Sequence, residues 1–208
     1  MNKIDYSVYL VTDTGMCPRE NLIDVCAKAI DGGATLIQLR EKDISSRAFY
    51  EEALELKKLC SSRNIPLLIN DRLDIALAVG ADGIHIGQSD IPIDAARKLL
   101  GFDKIIGVSA GSVEEALEAA RNDADYLGVG AVFPTSTKDD AKNVGIEILK
   151  NVRSAVNIPI VGIGGINSGN IDKLYGTGID GVAVVSCIMA SIDPKAAAAE
   201  LREKARNL

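Results

Sequence analysis

Gly80-Ala81-Asp82-Gly83-Ile84-His85-Ile86-Gly87 decides the fold, because the chain carries the same pattern in four forms. The others are G-G-A-T-L-I-Q-L (32–39), D-A-D-Y-L-G-V-G (123–130) and T-G-I-D-G-V-A-V (177–184). In each, a small turn feeds a short apolar run. N-I-P-L-L-I-N (64–70) and N-I-P-I-V-G-I (157–163) form a second related pair. Short apolar runs without polar alternation suit parallel strands buried on both faces. Working outward, the same logic predicts strands at Ser7–Val11, Leu36–Leu39, Ile65–Ile69, Gly83–Ile86, Lys104–Val108, Tyr126–Val132, Ile158–Ile163 and Gly181–Val185.

Helical patterns fill the intervals. Leu22, Val25, Cys26, Ala29 and Ile30 recur every three or four residues and close at Gly32-Gly33. Phe49, Ala53, Leu56, Leu59 and Cys60 mark a second helix over Ser46–Ser61, and a short one ends at Gly80. Pro92 and Gly101 bracket a fourth helix. Ser112 with Glu115 reads as a capping box for a fifth. Ile146, Leu149, Val152 and Val156 predict a sixth, Asn170–Tyr175 a short seventh, and Pro194 opens the last. Eight strand–helix units at a spacing of about two dozen residues predict an α/β fold, a single (β/α)8 TIM barrel over 1–208. A doubly wound open sheet is the alternative.

The 208 residues suffice for one substantial core. Aromatics make up only 4 %, so that core is aliphatic. A net charge of -6 without a basic stripe argues against nucleic acid as a partner. Cys17, Cys26, Cys60 and Cys187 lack metal-ligand spacing and read as reduced, mostly buried thiols. No signal-peptide core or apolar run of membrane length is visible, so the expectation is a cytoplasmic protein with no membrane partner. A homo-oligomer is left open.

In a (β/α)8 barrel the active site lies at the C-terminal strand ends. Gln38, Arg40 and Lys42 follow strand two, Asn70 and Asp71 strand three, and Asp90 strand four. Ser109 follows strand five, Thr135, Ser136, Thr137 and Lys138 strand six, Gly164-Gly165 strand seven, and Ser186 strand eight. The turns at the other ends read as simple connections. Three cations facing two carboxylates make sense if Mg²⁺ sits between Asp71, Asp90 and a diphosphate. Rim salt bridges are the plainer reading of the same residues. Gly164-Gly165, Val185-Ser186 and the Thr135 and Thr137 hydroxyls suit a monophosphate. His85 is the sole histidine and reads as a packed or hydrogen-bonded barrel residue. Neither Cys17 nor Cys187 has an activating histidine, which disfavours thiol catalysis.

Q-L-R-E-K (38–42), N-D-R-x-D (70–74), D-G-I-H-I-G-Q-S-D (82–90), G-V-S (107–109), F-P-T-S-T-K (133–138), G-I-G-G-I (162–166) and V-V-S (184–186) together resemble the thiamine phosphate synthase family. The resemblance spans nearly the whole chain in the family's order. It implies a (β/α)8 barrel that joins 4-amino-2-methyl-5-hydroxymethylpyrimidine diphosphate to 4-methyl-5-(2-phosphoethyl)thiazole, releasing diphosphate. It further implies Asp71 and Asp90 as Mg²⁺ ligands. Gln38, Leu39, Arg40, Glu41, Lys42, Asn70, Ser109 and Lys138 then contact the pyrimidine diphosphate. Thr135, Ser136, Thr137, Gly165, Val185 and Ser186 contact the thiazole phosphate. Arg40, Lys42, Ser109 and Lys138 carry the catalytic charge stabilisation. Gly111 departs from the family, in which histidine is common at that position. A thiazole tautomerase-like relative and a non-catalytic phosphate-ligand binder are the rival readings.

Overall fold

The structure is a computed structural model that describes residues 4–135 and 144–208. Eight parallel strands close into a barrel in sequence order. They are β1 (Val8–Val11), β2 (Leu36–Leu39), β3 (Leu67–Asn70), β4 (Gly83–Ile86), β5 (Ile105–Ala110), β6 (Tyr126–Gly130), β7 (Ile160–Ile163) and β8 (Gly181–Val184). Around them lie α1 (Leu22–Asp31), α2 (Ser46–Ser62), α3 (Leu73–Val79), α4 (Ile93–Leu100), α5 (Val113–Arg121), α6 (Gly145–Ala155), α7 (Ser186–Met189) and α8 (Pro194–Ala205). The expected seventh helix is a 3-10 turn, Ile171–Leu174, and a short helix absent from the expectation, α7, opens directly after β8. Among the described residues no helix is long and apolar enough to cross a membrane.

Strand parity divides the core in two. Tyr9, Leu36, Leu68, Ile105, Tyr126, Val161 and Ala183 form one buried cluster inside the barrel. Their neighbours Leu10, Ile37, Ile69, Ile106, Leu127 and Val182 belong to the larger layer between strands and helices. Each fully buried aliphatic side chain contributes about 1.5–3 kcal/mol relative to exposure. Glycine makes room for the interior rings. A Cβ on Gly107 would lie 2.1 Å from Tyr126 Cζ, and one on Gly128 3.0 Å from His85 Cε1.

The fourfold sequence pattern has a physical cause at the N-terminal end of the barrel. Thr35, Asp82, Asp125 and Asp180 occupy equivalent positions just before β2, β4, β6 and β8. Their backbone N–H groups donate to the carbonyls of Val8, Leu67, Ile106 and Ile160. Their side-chain oxygens accept the N–H of those same four residues, over 3.2, 2.8, 2.7 and 2.9 Å. Each even strand is thus clamped to the preceding odd strand at two points. Lys57, Arg97 and Arg153 pair with the three aspartates. These turns are therefore more than the simple connections that the sequence suggested.

Candidate active site

The C-terminal rim collects the residues expected there, but it uses them unevenly. Arg40 leaves β2 with its backbone N–H on Thr12 Oγ1 at 3.0 Å and Nη1 3.3 Å from Asp13 Oδ2. Lys42 is exposed. Leu39 is buried in the layer between strands and helices, so its side chain faces away from the barrel interior. Glu41 is turned aside as well. Its Oε2 accepts from Thr14 Oγ1 and from Arg19 Nη2, both at 2.9 Å, and its side chain is only 2 % exposed.

Asp71 stands at the end of β3 in the left-handed region, at φ 59, a conformation that aspartate tolerates better than most residues. Its N–H donates to His85 O over 2.9 Å. Asn70 Nδ2 donates to Asp71 Oδ2 over 2.7 Å. The Asp90 carboxyl lies near enough to Asp71 to act on its protonation. Although Asp71 is exposed as a residue, partial burial of its carboxyl and the neighbouring Asp90 carboxyl raise its pKa to about 6, against the opposing pull of Asn70 and Arg40. Gly87 N–H donates to Asp90 Oδ2 over 2.7 Å, which fixes the second carboxyl from the β4 loop. Two carboxyls held this close want a shared proton or a cation between them. No group of three or more His, Cys, Asp or Glu side chains able to hold a metal forms among the described residues.

Ser109 follows its strand inward, and its Oγ lies 2.9 Å from His85 Nε2. His85 Nδ1 lies 2.8 Å from Tyr126 Oη, which makes the histidine a hydrogen-bonded barrel residue as expected. Gln88 Nε2 donates to Ser109 O over 2.7 Å, tying the loop after β4 to the end of β5. Gly111 N–H donates to Glu115 Oε2 over 2.6 Å. Only the Ser112 half of the predicted capping box is therefore as expected, with Ser112 Oγ accepting from Glu115 N.

Across the mouth, the exits of β6 and β7 run together. Val132 N–H and Phe133 N–H donate to Ile163 O and Gly164 O. Gly164 and Gly165 take φ values of +98 and +65, and a Cβ on Gly165 would meet Pro134 O at 2.5 Å. Glycine is required there by both conformation and contact. Thr135 is half-buried, while Val185 and Ser186 lead into α7. Ser136, Thr137 and Lys138 lie outside the described residues, as do Asp139, Asp140 and Lys142.

The end of β1 adds residues that were not among those expected at the site. Thr12 is fully buried, Asp13 faces Arg40, and Thr14 and Arg19 hold Glu41. The signal was available, since T-D-T is a polar run directly after an apolar strand, as at the other strand ends.

Basic residues, paired carboxyls and a glycine turn on one rim of a closed parallel barrel define an enzyme for small phosphorylated substrates. The chain belongs to the thiamine monophosphate synthase family, whose sequence profile matches residues 8–188. The thiamine-phosphate synthase of Clostridium acetobutylicum is 55 % identical over 206 residues, covering 99 % of this chain and 94 % of that protein. That of Ruminiclostridium cellulolyticum is 56 % identical over 202 residues, covering 97 % and 96 %. The solved thiamine phosphate pyrophosphorylase of Pyrococcus furiosus superposes with a TM-score of 0.91 at 40 % identity, covering 98 % of this chain and 96 % of that one.

Proposed function

We infer that this chain condenses 4-amino-2-methyl-5-hydroxymethylpyrimidine diphosphate with 4-methyl-5-(2-phosphoethyl)thiazole to give thiamine phosphate and diphosphate. Beyond family membership, the observation that supports this most is the pair of neighbouring carboxyls, Asp71 and Asp90, on the rim that carries Arg40 and Lys42. Acids would repel a diphosphate unless a cation intervened. Their hard oxygens and close spacing fit Mg²⁺, which commonly takes one or two carboxylates and completes its shell with phosphate oxygens and water. A Mg²⁺ ion held by Asp71 and Asp90 would supply positive charge beside the diphosphate.

The chain's own groups do the remainder. The C–O bond to diphosphate breaks, and its electron pair leaves with the diphosphate oxygen. The thiazole nitrogen then gives its lone pair to the pyrimidinylmethyl carbon. No proton has to move, which suits a rim rich in anion-binding groups. Arg40, Lys42 and Lys138 stabilise charge growing on the leaving group, and Ser109 adds a hydrogen bond. Gln38 and Asn70 orient the pyrimidine diphosphate. Leu39 and Glu41 contribute through their backbones, since one side chain is buried outward and the other is held by Arg19 and Thr14. Thr135, Ser136, Thr137, Gly165, Val185 and Ser186 hold the thiazole phosphate. The barrel mouth keeps the two reactants adjacent and excludes water from the cation.

Turnover of Asp71→Asn, which keeps a residue that tolerates the left-handed turn, tests this reading with both substrates and Mg²⁺. It should fall at least about a hundredfold while the thermal transition stays near that of the parent. Unchanged turnover would remove the acidic pair from the reaction.

A further inference from the structure

A chain of hydrogen bonds crosses the barrel interior from β2 to β5. Gln38 Nε2 donates to Tyr9 Oη, and Tyr9 Oη lies 2.9 Å from Tyr126 Oη. Tyr126 Oη lies 2.8 Å from His85 Nδ1, and His85 Nε2 lies 2.9 Å from Ser109 Oγ. Gln38, Tyr9, Tyr126 and His85 are all buried. Hydroxyls and a neutral imidazole can each donate or accept, so the last three links have no direction of their own.

Gln38 supplies the direction. Its amide nitrogen can only donate. Tyr9 has one hydroxyl hydrogen, and a buried hydrogen without an acceptor is costly, so that hydrogen goes to Tyr126. Tyr126 in turn gives its single hydrogen to His85 Nδ1. The ring nitrogen that accepts carries no proton, and a neutral imidazole then carries its proton on Nε2. That N–H donates to Ser109 Oγ, and the Ser109 hydrogen is left pointing away from the relay. An imidazolium would place an N–H on Nδ1 against the Tyr126 hydrogen. Packing alone would be served equally well by either direction.

We propose that His85 is a positioning residue, held as the Nε2–H tautomer by Gln38 through Tyr9 and Tyr126, and that it presents the Ser109 hydroxyl as a donor to an anionic oxygen in the barrel mouth. The identity of that anion as the leaving diphosphate rests on the proposed function; the tautomer does not.

His85 is the only histidine in the chain, so ¹⁵N-histidine labelling of the full-length protein reports this ring alone. Long-range ¹H–¹⁵N spectra without substrate should show a proton-free Nδ1 and a protonated Nε2. Gln38→Glu puts an acceptor at the head of the relay and should move the proton to Nδ1. Tyr9→Phe cuts the relay without touching either substrate and should give a tautomer mixture. Its kcat should fall about tenfold, with the KM for the thiazole phosphate unchanged. In a Ser109→Ala background Tyr9→Phe should cost nothing further. A proton on Nδ1 in the parent protein overturns the proposal. So does full kcat in a folded Tyr9→Phe variant whose tautomer has become mixed. Absence of condensation by the parent would instead overturn the functional reading and leave the tautomer result standing.

Discussion

Arg97 Nη2 lies 2.7 Å from Asp125 Oδ2 at the N-terminal end of the barrel, and the same carboxylate oxygen accepts the Ile106 N–H over 2.7 Å. Arg97 also donates to the carbonyls of Gly101, Lys104 and Asp123. One buried guanidinium therefore staples α4, the start of β5 and the turn before β6. Asp125→Ala removes its counter-charge and the partner of a strand N–H together. Breaking a buried pair from one side costs about 3–5 kcal/mol, and the partial exposure of Asp125 argues for the lower end. Urea unfolding should show a loss of about 3 kcal/mol, with unchanged turnover per folded molecule. A change of a few tenths would mean that the clamp is ornamental.

Glu52 gives the stability a pH dependence. Burial and the Glu41 carboxylate beside it raise its pKa to about 7, with Arg19 opposing at 3.1 Å. The folded protein then holds a proton between roughly pH 4.5 and 7 that the unfolded chain has released. Stability from this group is full below the unfolded value and is lost as pH rises through the folded one. Glu52→Gln should melt above the parent at pH 8 and level with it near pH 4. The same offset at both values would assign the effect to packing.

The two sides of the rim should separate kinetically. Ser186→Ala should raise the KM for the thiazole phosphate with little change in that for the pyrimidine diphosphate. If only the diphosphate substrate is affected, the two sides have been assigned the wrong way round.

Lys138→Ala should lower kcat by about a hundredfold, as expected when a donor to developing negative charge is removed. Steady-state rates at saturating substrates read this directly. A normal kcat with a raised KM would make Lys138 a binding residue alone.

Much of the barrel was legible because strand parity and helix periodicity are local. β2 and β4 begin and end where their apolar runs do. The misjudged parts depend on contacts distant in sequence. Residues 171–174 form a 3-10 turn, and the four apolar residues before Ser186 gave no hint of α7. At the site, Asp71 and Asp90 were identifiable from their strand-end positions, but the left-handed turn at Asp71 and the effect of Asp90 on its carboxyl were not. Glu41 lies in a rim segment, yet Arg19, 22 positions earlier, draws its carboxylate away. His85 read as a hydrogen-bonded barrel residue, whereas its link to Ser109 needed the register of β4 against β5.

The central claim meets its most direct test in one tube, where both phosphorylated substrates are mixed with the purified chain and Mg²⁺. Thiamine phosphate and diphosphate should appear in equal amounts. Neither should form when one substrate is omitted, and EDTA should stop the reaction until Mg²⁺ is restored. Binding of both compounds without either product would contradict the account and make the barrel a phosphate-ligand binder. Product formation indifferent to EDTA would contradict the role given to Asp71 and Asp90.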